Sequence, residues 1–266
     1  MPSQKVKFTN PPVDELVLGV QFDTIECLQT IHLHQIWELY KSEFPNVQEM
    51  PPLTPRFETF DDAGRDSVSE MEVNPLPPLR RLWFSSDDEQ HLVQFQHDRF
   101  IFNWRKRHDQ NVYPSFDILL PIFEREFQRL KDFVNKNFEI QLEINQAEVA
   151  YINIMQRSDF QKMSHFQLII DDDSLEIEGM QLFVGEILRD DSDKPFARLI
   201  YEMQSPIKQD SGTPSHRLGL TVRGGPAGTD LSSVRAFMEM AHSRIISQFL
   251  KLTSDNAQKF WGKSEG

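Results

Sequence analysis

The sequence predicts an α+β fold built from two similar halves, each an antiparallel sheet packed on one long amphipathic helix. Short turns link the strand-like runs, which disfavours the crossover helices of a doubly wound parallel sheet. Two long stretches, at 114–137 and 230–252, instead carry apolar residues at helical spacing. Each half also runs in the same order: strands, a strand that ends in arginine (Arg105 or Arg223), a loop and a long helix.

We therefore expect an N-terminal α+β half over 1–138 and a C-terminal α+β half over 139–266, packed together as one unit. The order of elements repeats but the residue letters do not. A true duplication and a chance repetition of order both stay open.

The first half opens with a strand over 14–23, in which Leu16, Leu18 and Val20 alternate with the intervening positions. A helix then fits 30–44, because apolar and aromatic residues recur three or four positions apart until Pro45 ends the run. The prolines at 51–55 and 75–78 bracket a polar stretch and indicate loops or edge strands.

Three strands are expected next, over 79–85, 91–96 and 99–105, and the last two form a hairpin over the dipeptide 97–98. With that two-residue turn, Phe95 faces Phe100 and Val93 faces Phe102. This register places apolar residues on one face and mostly polar residues on the other, which favours it over a shifted pairing.

A long helix is expected over 114–137, because its apolar residues recur at steps of three and four. Ser115 and Asp117 are candidate caps and Asn137 is a candidate stop. Pro121 should kink the first turns or move the start of the helix later.

The second half repeats this organisation. Its expected strands are 141–155, 165–170, 175–188, 196–204 and 216–223. Aspartate-rich turns are expected at 171–173 and 190–193. A second long amphipathic helix is expected over 230–252.

Composition excludes several classes of function. The 266 residues carry 28 Lys and Arg against 41 Asp and Glu, a net charge of −13, which argues against general nucleic-acid binding and against an anionic membrane surface. No apolar run approaches about 18 residues, so no membrane span is expected. The single cysteine, Cys27, is interpreted as a small packed residue, and together with the absence of a signal-like N-terminus it predicts a cytoplasmic protein.

No motif with catalytic or metal-binding spacing is recognised. The eight histidines lack the spacing of a zinc site, and the aspartates at 171–173 fit a solvated turn better than a calcium loop. The glycine-rich segment 223–230 fits a connection in which Asp230 caps the following helix. The sequence thus predicts no catalytic residue, no metal and no cofactor.

The candidate binding residues lie in and just after the strand over 99–105. Arg99, Asn103 and Arg105 share one strand face, where two guanidiniums and an amide can hold a carboxylate, a phosphate or an acidic partner loop. The alternative is that they pair with local acids on a solvated sheet face, and both interpretations stay open.

Three segments, at 10–22, 98–114 and 249–262, resemble a sporadically distributed family of uncharacterised bacterial and archaeal proteins of similar length. The residues that carry the resemblance are Gly19-Val20-Gln21-Phe22, Asn103-Trp104-Arg105 with Tyr113-Pro114, and Leu252-Thr253 with Trp261-Gly262. The resemblance implies a prokaryotic, cytosolic accessory protein and no particular reaction. It also implies carriage on defence or mobile-element loci, and it adds Trp104 and Tyr113 to the candidate binding residues.

Three hypotheses follow from these observations. The first is a non-catalytic protein that binds a protein partner, as an accessory or antitoxin-like component. The second is a small-ligand-binding protein with an apolar cavity between sheet and long helix, where Arg99, Asn103 and Arg105 bind the polar end of the ligand. The third is an enzyme that uses His97, Asp98 or Tyr113 as acid–base groups. The oligomeric state is not predicted.

Overall fold

The protein, a computed structural model, consists of one large antiparallel sheet and a few helices, described over residues 6–60, 79–156, 159, 179–207 and 215–265. The helices are α1 (Leu33–Tyr40), α2 (Phe116–Phe138), α3 (Leu231–Leu252) and α4 (Asp255–Phe260), and a 3-10 turn over Thr30–His32 precedes α1. The strands are β1 (Val6–Phe8), β2 (Val13–Phe22), β3 (Asn46–Met50), β4 (Arg81–Ser85), β5 (His91–Gln96), β6 (Arg99–Arg105), β7 (Ile144–Met155), β8 (Met180–Arg189), β9 (Pro195–Ile207), β10 (Ser215–Gly224) and β11 (Lys263–Glu265).

Nine strands form a single sheet in the order β3-β4-β5-β6-β2-β7-β10-β9-β8. Two separate sheets, one for each half, were expected, and this expectation is wrong because β2 and β7 pair along their length. The reason is that β2 and β7 are both long and well buried, so leaving either one as an edge would leave a row of backbone N–H and C=O groups unpaired beside apolar side chains. The strands β1 and β11 form a separate two-stranded sheet that brings the two ends of the described chain together.

The β5–β6 hairpin has the register that the sequence predicts. Phe95 pairs with Phe100 and Val93 with Phe102, while Gln96 pairs with Arg99 on the opposite face. The two-residue turn and the alternation of side chains were sufficient to define this pairing.

Both long helices are confirmed with bounds close to those expected. The start of α2 does not move past Pro121, because Phe116, Leu119 and Leu120 are buried and hold the first turns against the core. The first helix is shorter than the expected 30–44 and ends at Tyr40, after which the chain continues as a turn to the buried Phe44.

The strands and turns expected in the second half are partly confirmed, and the interpretation of Cys27 is not. Strands β7, β8, β9 and β10 overlap the expected runs, and the turn at 190–193 is confirmed. The expected strand at 165–170 and turn at 171–173 lie outside the described residues. Cys27 is exposed, so its interpretation as a packed residue is wrong; in this irregular segment Ile25 and Leu28 are the residues that turn inward.

Within the described residues, the three longer helices α1, α2 and α3 pack on one face of the nine-stranded sheet, which we call the helix face. Phe100 on this face lies 5.9 Å from Phe123 and 5.5 Å from Phe127 of α2, measured between ring centroids. Tyr40 of α1 stacks on Phe84. Tyr151 of β7 hydrogen-bonds His242 of α3. In the described ranges, no helix combines the length and the apolar character that crossing a bilayer requires.

Candidate functional site

The face of the sheet that points away from α2 and α3, which we call the polar face, carries a concentration of arginines. Strand alternation puts six of them there: Arg81, Arg99, Arg105, Arg198, Arg217 and Arg223. The strands contribute three carboxylates to the same face in the described residues: Glu15, Glu148 and Glu202. On the strands of this face the arginines thus outnumber the carboxylates, although the whole chain is acidic. Asp98 and Glu58, which lie outside the strands, add two carboxylates that pair with Arg99, Arg198 and Arg223.

An extended segment, residues 51–60, which we call the strap, crosses the polar face. Gln96 of β5 holds both main-chain groups of Leu53, accepting from its N–H at 2.8 Å and donating to its carbonyl at 2.9 Å. Arg99 of β6 donates to the carbonyl of Thr54 at 3.0 Å. Gln21 of β2 accepts from the N–H of Arg56 at 3.1 Å. Side chains of the sheet thus hold the strap through its backbone.

The far end of the strap is held by a carboxylate. Glu58 accepts a hydrogen bond from Nε of Arg198 on β9 at 2.7 Å and another from Nη1 of Arg223 on β10 at 3.3 Å. Arg198 also donates to the carbonyl of Thr59 at 2.9 Å and stacks on the ring of Phe60. The side chain of Glu58 is only 10% exposed, so the ion pairs are shielded from solvent.

Arg223 joins this end of the strap to the sheet. Burial alone would lower the pKa of its guanidinium, but the carboxylates of Glu148 and Glu58 raise the pKa above its ordinary value. A charge-assisted network of this kind requires each partner to stay ionised.

A cavity of about 200 Å³ lies between the strap and the middle of the sheet. Its wall includes Gln21, Leu53, Arg99, Gln146 and Arg223. Gly19 also lines it and leaves room there, because a Cβ at this position would have its nearest neighbour, in Ile101, at 3.5 Å.

Two polar atoms beside this cavity have no partner in the described part of the chain. They are Nε2 of Gln21 and Oε1 of Gln146, which belong to residues paired across β2 and β7. A buried polar atom without a hydrogen bond costs about 1–3 kcal/mol of folding free energy. The protein bears this cost at two adjacent positions beside the cavity.

Arg99, the first of the predicted residues, is buried against the strap. Its guanidinium makes two 3.1 Å hydrogen bonds to the carboxylate of Asp98 and a longer one to Gln21. The Nη2 atom that bonds Asp98 and Gln21 also donates to the strap carbonyl of Thr54, so Arg99 positions a main chain rather than a free carboxylate.

Asn103 and Arg105 lie further along β6, away from the strap. Asn103 accepts from Gln94 at 2.7 Å and donates to Glu15 at 2.8 Å. Burial raises the pKa of Glu15 and lowers the pKa of Arg105. The Arg105 guanidinium lies 5.7 Å from the ring centroid of Trp83 and donates to a backbone carbonyl.

Trp104 and Tyr113 lie on the helix side of the sheet. Trp104 is buried on the helix face and meets Tyr113 edge to face. Tyr113 hydrogen-bonds Tyr151, and burial raises the pKa of both phenols. Of the five predicted residues, the structure thus brings Arg99, Asn103 and Arg105 onto one face and separates them from the other two.

Sequence reasoning did not single out Glu58, Arg198, Gln21 or Gln96, and it noted Arg223 only as a strand end. Strand alternation could have placed Gln21, Arg198 and Arg223 on the face opposite the core. No comparable signal existed for Glu58, because the proline-rich strap has no periodicity and binds mainly through its backbone.

Of the three acid–base candidates, Asp98 and Tyr113 have side-chain hydrogen-bond partners, whereas Nδ1 of His97 is buried without one in the described part of the chain. Asp98 is buried and bonded to Arg99 and Gln96. Among the residues that the structure describes, no group of three or more His, Cys, Asp or Glu side chains is placed to hold a metal ion.

Comparison with known proteins yields little. No family model matches the chain and no curated protein matches it. A rolling circle replication initiator protein from Geobacillus stearothermophilus aligns over 92% of this chain and 85% of its own, with 11% identity and a TM-score of 0.27. A likeness at that TM-score carries no argument about fold or function.

Proposed function

We propose that the chain is a non-catalytic binding protein that docks a protein partner on its polar face. The observation that carries this proposal is the strap itself. An extended segment lies across the sheet and is held by side chains from five strands, namely Gln96, Arg99, Gln21, Arg198 and Arg223. A surface that binds one extended chain through its backbone has the chemistry to bind another.

The charge of the polar face indicates the kind of partner. When Glu58 leaves Arg198 and Arg223, the arginines of this face outnumber its carboxylates, which favours an acidic segment over a basic one. We therefore propose an acidic partner segment for this face, although the net charge of the whole chain alone would favour a basic partner.

The biological setting is part of the same proposal. The resemblance in segments 10–22, 98–114 and 249–262 supports a cytoplasmic accessory or antitoxin-like role in a prokaryotic defence or mobile-element locus. Membership of that family is likewise proposed on those residues alone.

We also propose that the two halves arose by duplication. Starting from the centre of the sheet, the first half runs β2, β6, β5, β4 and the second runs β7, β10, β9, β8. In both, the first strand that the half contributes to the nine-stranded sheet is central, the last strand pairs with it, and a long helix follows. This shared order supports duplication, with β3 as an addition to the first half.

A capture experiment tests the docking function. The tagged protein is incubated at physiological salt with lysate of its native host, and bound proteins are identified by mass spectrometry. We expect one product of a neighbouring gene to bind the wild type, and the double variant Arg198→Glu/Arg217→Glu to lose it because two cations of the polar face are reversed.

The matched control is Lys136→Glu, an exposed charge reversal on α2 of the helix layer. It should retain the partner. Loss of the partner in the Lys136→Glu variant with retention in the double variant, or no specific capture at all, would show that the polar face is not the docking surface.

The cavity beneath the strap supports a second candidate function, the binding of a small ligand. Its position differs from that expected, because it lies on the polar face rather than between the sheet and a long helix. The unpaired amide atoms of Gln21 and Gln146 would be satisfied by a ligand that carries both an acceptor and a donor.

Thermal denaturation with a panel of small amides, carboxylates and nucleobases tests this second function. A ligand should raise the Tm of the wild type and of Gly19→Ala, but not that of Gly19→Val, whose larger side chain fills the cavity floor. Equal increases of the Tm in all three proteins would show that the ligand does not bind in this cavity.

A further inference from the structure

We propose that Arg198 and Arg223 form a carboxylate-binding site for a glutamate in an acidic, extended segment of the partner, and that Glu58 occupies this site in the unbound protein. This inference rests on the proposed docking function and names the group that the polar face recognises. It also gives the strap a role, since the strap occupies the site until a partner displaces it.

The geometry of the two arginines supports a built site. Arg198 and Arg223 are direct register partners on β9 and β10, and each contacts a different oxygen of the Glu58 carboxylate. Two guanidiniums held this close repel each other unless an anion lies between them. Arg223 has a second carboxylate partner in Glu148, whereas Glu58 is the carboxylate that pairs with Arg198 among the described residues.

The remaining strap contacts explain why the site suits an extended peptide rather than a free anion. Gln96, Arg99 and Gln21 bind main-chain groups of the strap, and Arg198 adds the carbonyl of Thr59. The face therefore recognises a backbone over several residues and one carboxylate near its end.

The side chains of the strap are mostly not recognised. Thr54, Arg56, Phe57 and Thr59 are exposed, and more than half of Phe57 faces solvent. A partner segment can therefore differ from the strap at these positions, provided that it supplies a carboxylate in the place of Glu58.

The strap belongs to the same chain as the site, and this covalent link determines when a partner peptide can displace it. A segment in the same chain competes with an effective concentration on the order of millimolar, so a weak peptide in trans does not displace it. Replacing Glu58 should make the site available to a peptide, because the strap then loses its ion pairs with Arg198 and Arg223.

The experiment uses the full-length protein and a fluorescent peptide with the sequence of residues 51–60, followed by fluorescence anisotropy. We expect Glu58→Ala to bind this peptide about tenfold or more tightly than the wild type does. The peptide that carries Glu58→Gln should bind the Glu58→Ala protein about tenfold more weakly. A peptide with alanine at the positions of Thr54, Arg56, Phe57 and Thr59 should bind within a few-fold.

Matched variants locate the site. In the Glu58→Ala background, Arg198→Ala should lose the peptide, whereas Lys136→Ala should keep it, because Lys136 is exposed on α2 and is not part of the polar face. Circular dichroism melts of each variant show whether it is folded, and only folded variants are compared.

Three results would overturn the inference. They are equal binding of the peptide to wild type and Glu58→Ala, equal binding of the Glu and Gln peptides, and displacement of the peptide by inorganic phosphate as readily as by unlabelled peptide. If the peptide does not bind as expected while the Arg198→Glu/Arg217→Glu variant still loses the captured partner, the docking function stands and only the proposed carboxylate site is wrong.

Discussion

Glu15 shows how a single residue on the polar face responds to its surroundings. It faces Arg105 across the β2–β6 pair and accepts a hydrogen bond from Asn103, and both contacts favour the carboxylate. Burial outweighs these contacts, so the pKa of Glu15 is raised above its ordinary value of 4.5. The fold therefore partly disfavours the charged form of this residue.

This shift predicts a pH-dependent gain in stability for Glu15→Gln. A folded-state pKa above the unfolded value means that the contribution of neutral Glu15 to stability is complete below about pH 4.5 and is lost as the pH rises through the folded pKa. Glutamine stays neutral and keeps an oxygen for Asn103. We expect the Tm of Glu15→Gln to exceed that of the wild type by about 2 °C at neutral pH.

Thermal melts from about pH 4 to pH 7 provide the test and its internal control. The difference in Tm between the two proteins should be smallest at the acidic end and should grow toward neutrality. A difference that is constant, or largest in acid, would mean that burial does not control the charge of Glu15.

At the scale of elements, the β5–β6 hairpin shows what sequence reasoning can achieve. A two-residue turn and the alternation of phenylalanines determine both the pairing and the face of each side chain. The same alternation places Arg99, Asn103 and Arg105 together and Trp104 on the opposite face, as the structure shows.

The strap shows where such reasoning fails. Its prolines correctly predicted an irregular segment, but its position depends on hydrogen bonds from Gln96 and Arg99 to its backbone. Every residue other than proline offers the same N–H and C=O groups, so the sequence of residues 51–60 does not distinguish a docked loop from a solvated one. The same limit applies to β3, an exposed edge strand with little apolar signal.

The pairing of β9 with β10 predicts a severe effect of Gly224→Ala. A Cβ at Gly224 would collide with the carbonyl oxygen of Phe196 and would lie 2.6 Å from Cβ of Ala197. These are backbone-bound atoms, so the two strands must separate. We expect the Tm to fall by about 5 °C or more, and peptide binding at Arg198 to weaken in the Glu58→Ala background.

Gly19→Ala is the matched control, because its Cβ would meet only ordinary contacts at 3.5 Å and beyond. It should shift the Tm by about 1 °C or less. Comparable losses in both variants would indicate that the strand pairing at Gly224 is looser than the structure describes.

At the scale of the whole molecule, the candidate site belongs to both halves. The strap comes from the first half, whereas Arg198 and Arg223, which hold Glu58, come from the second. The sequence predicted the elements of each half but not the shared sheet, because pairing of β2 with β7 joins strands that are far apart in the chain. The polar face exists only because all the longer helices pack on the other side.

This arrangement predicts that neither half folds alone. In a fragment of residues 1–138, β2 would present its long buried edge to solvent, and Phe116 would lose its stacking partner His242, whose ring centroid lies 4.2 Å away. We expect the fragments 1–138 and 139–266 to be unfolded or aggregated separately, and to recover the native circular dichroism spectrum when they are expressed together.

The full chain should unfold in one calorimetric transition, because loss of the β2–β7 pairing removes the support of both long helices at once. Two resolved transitions, or a folded monomeric fragment in gel filtration, would instead mean that each half holds its own core and that the strap links two independent domains.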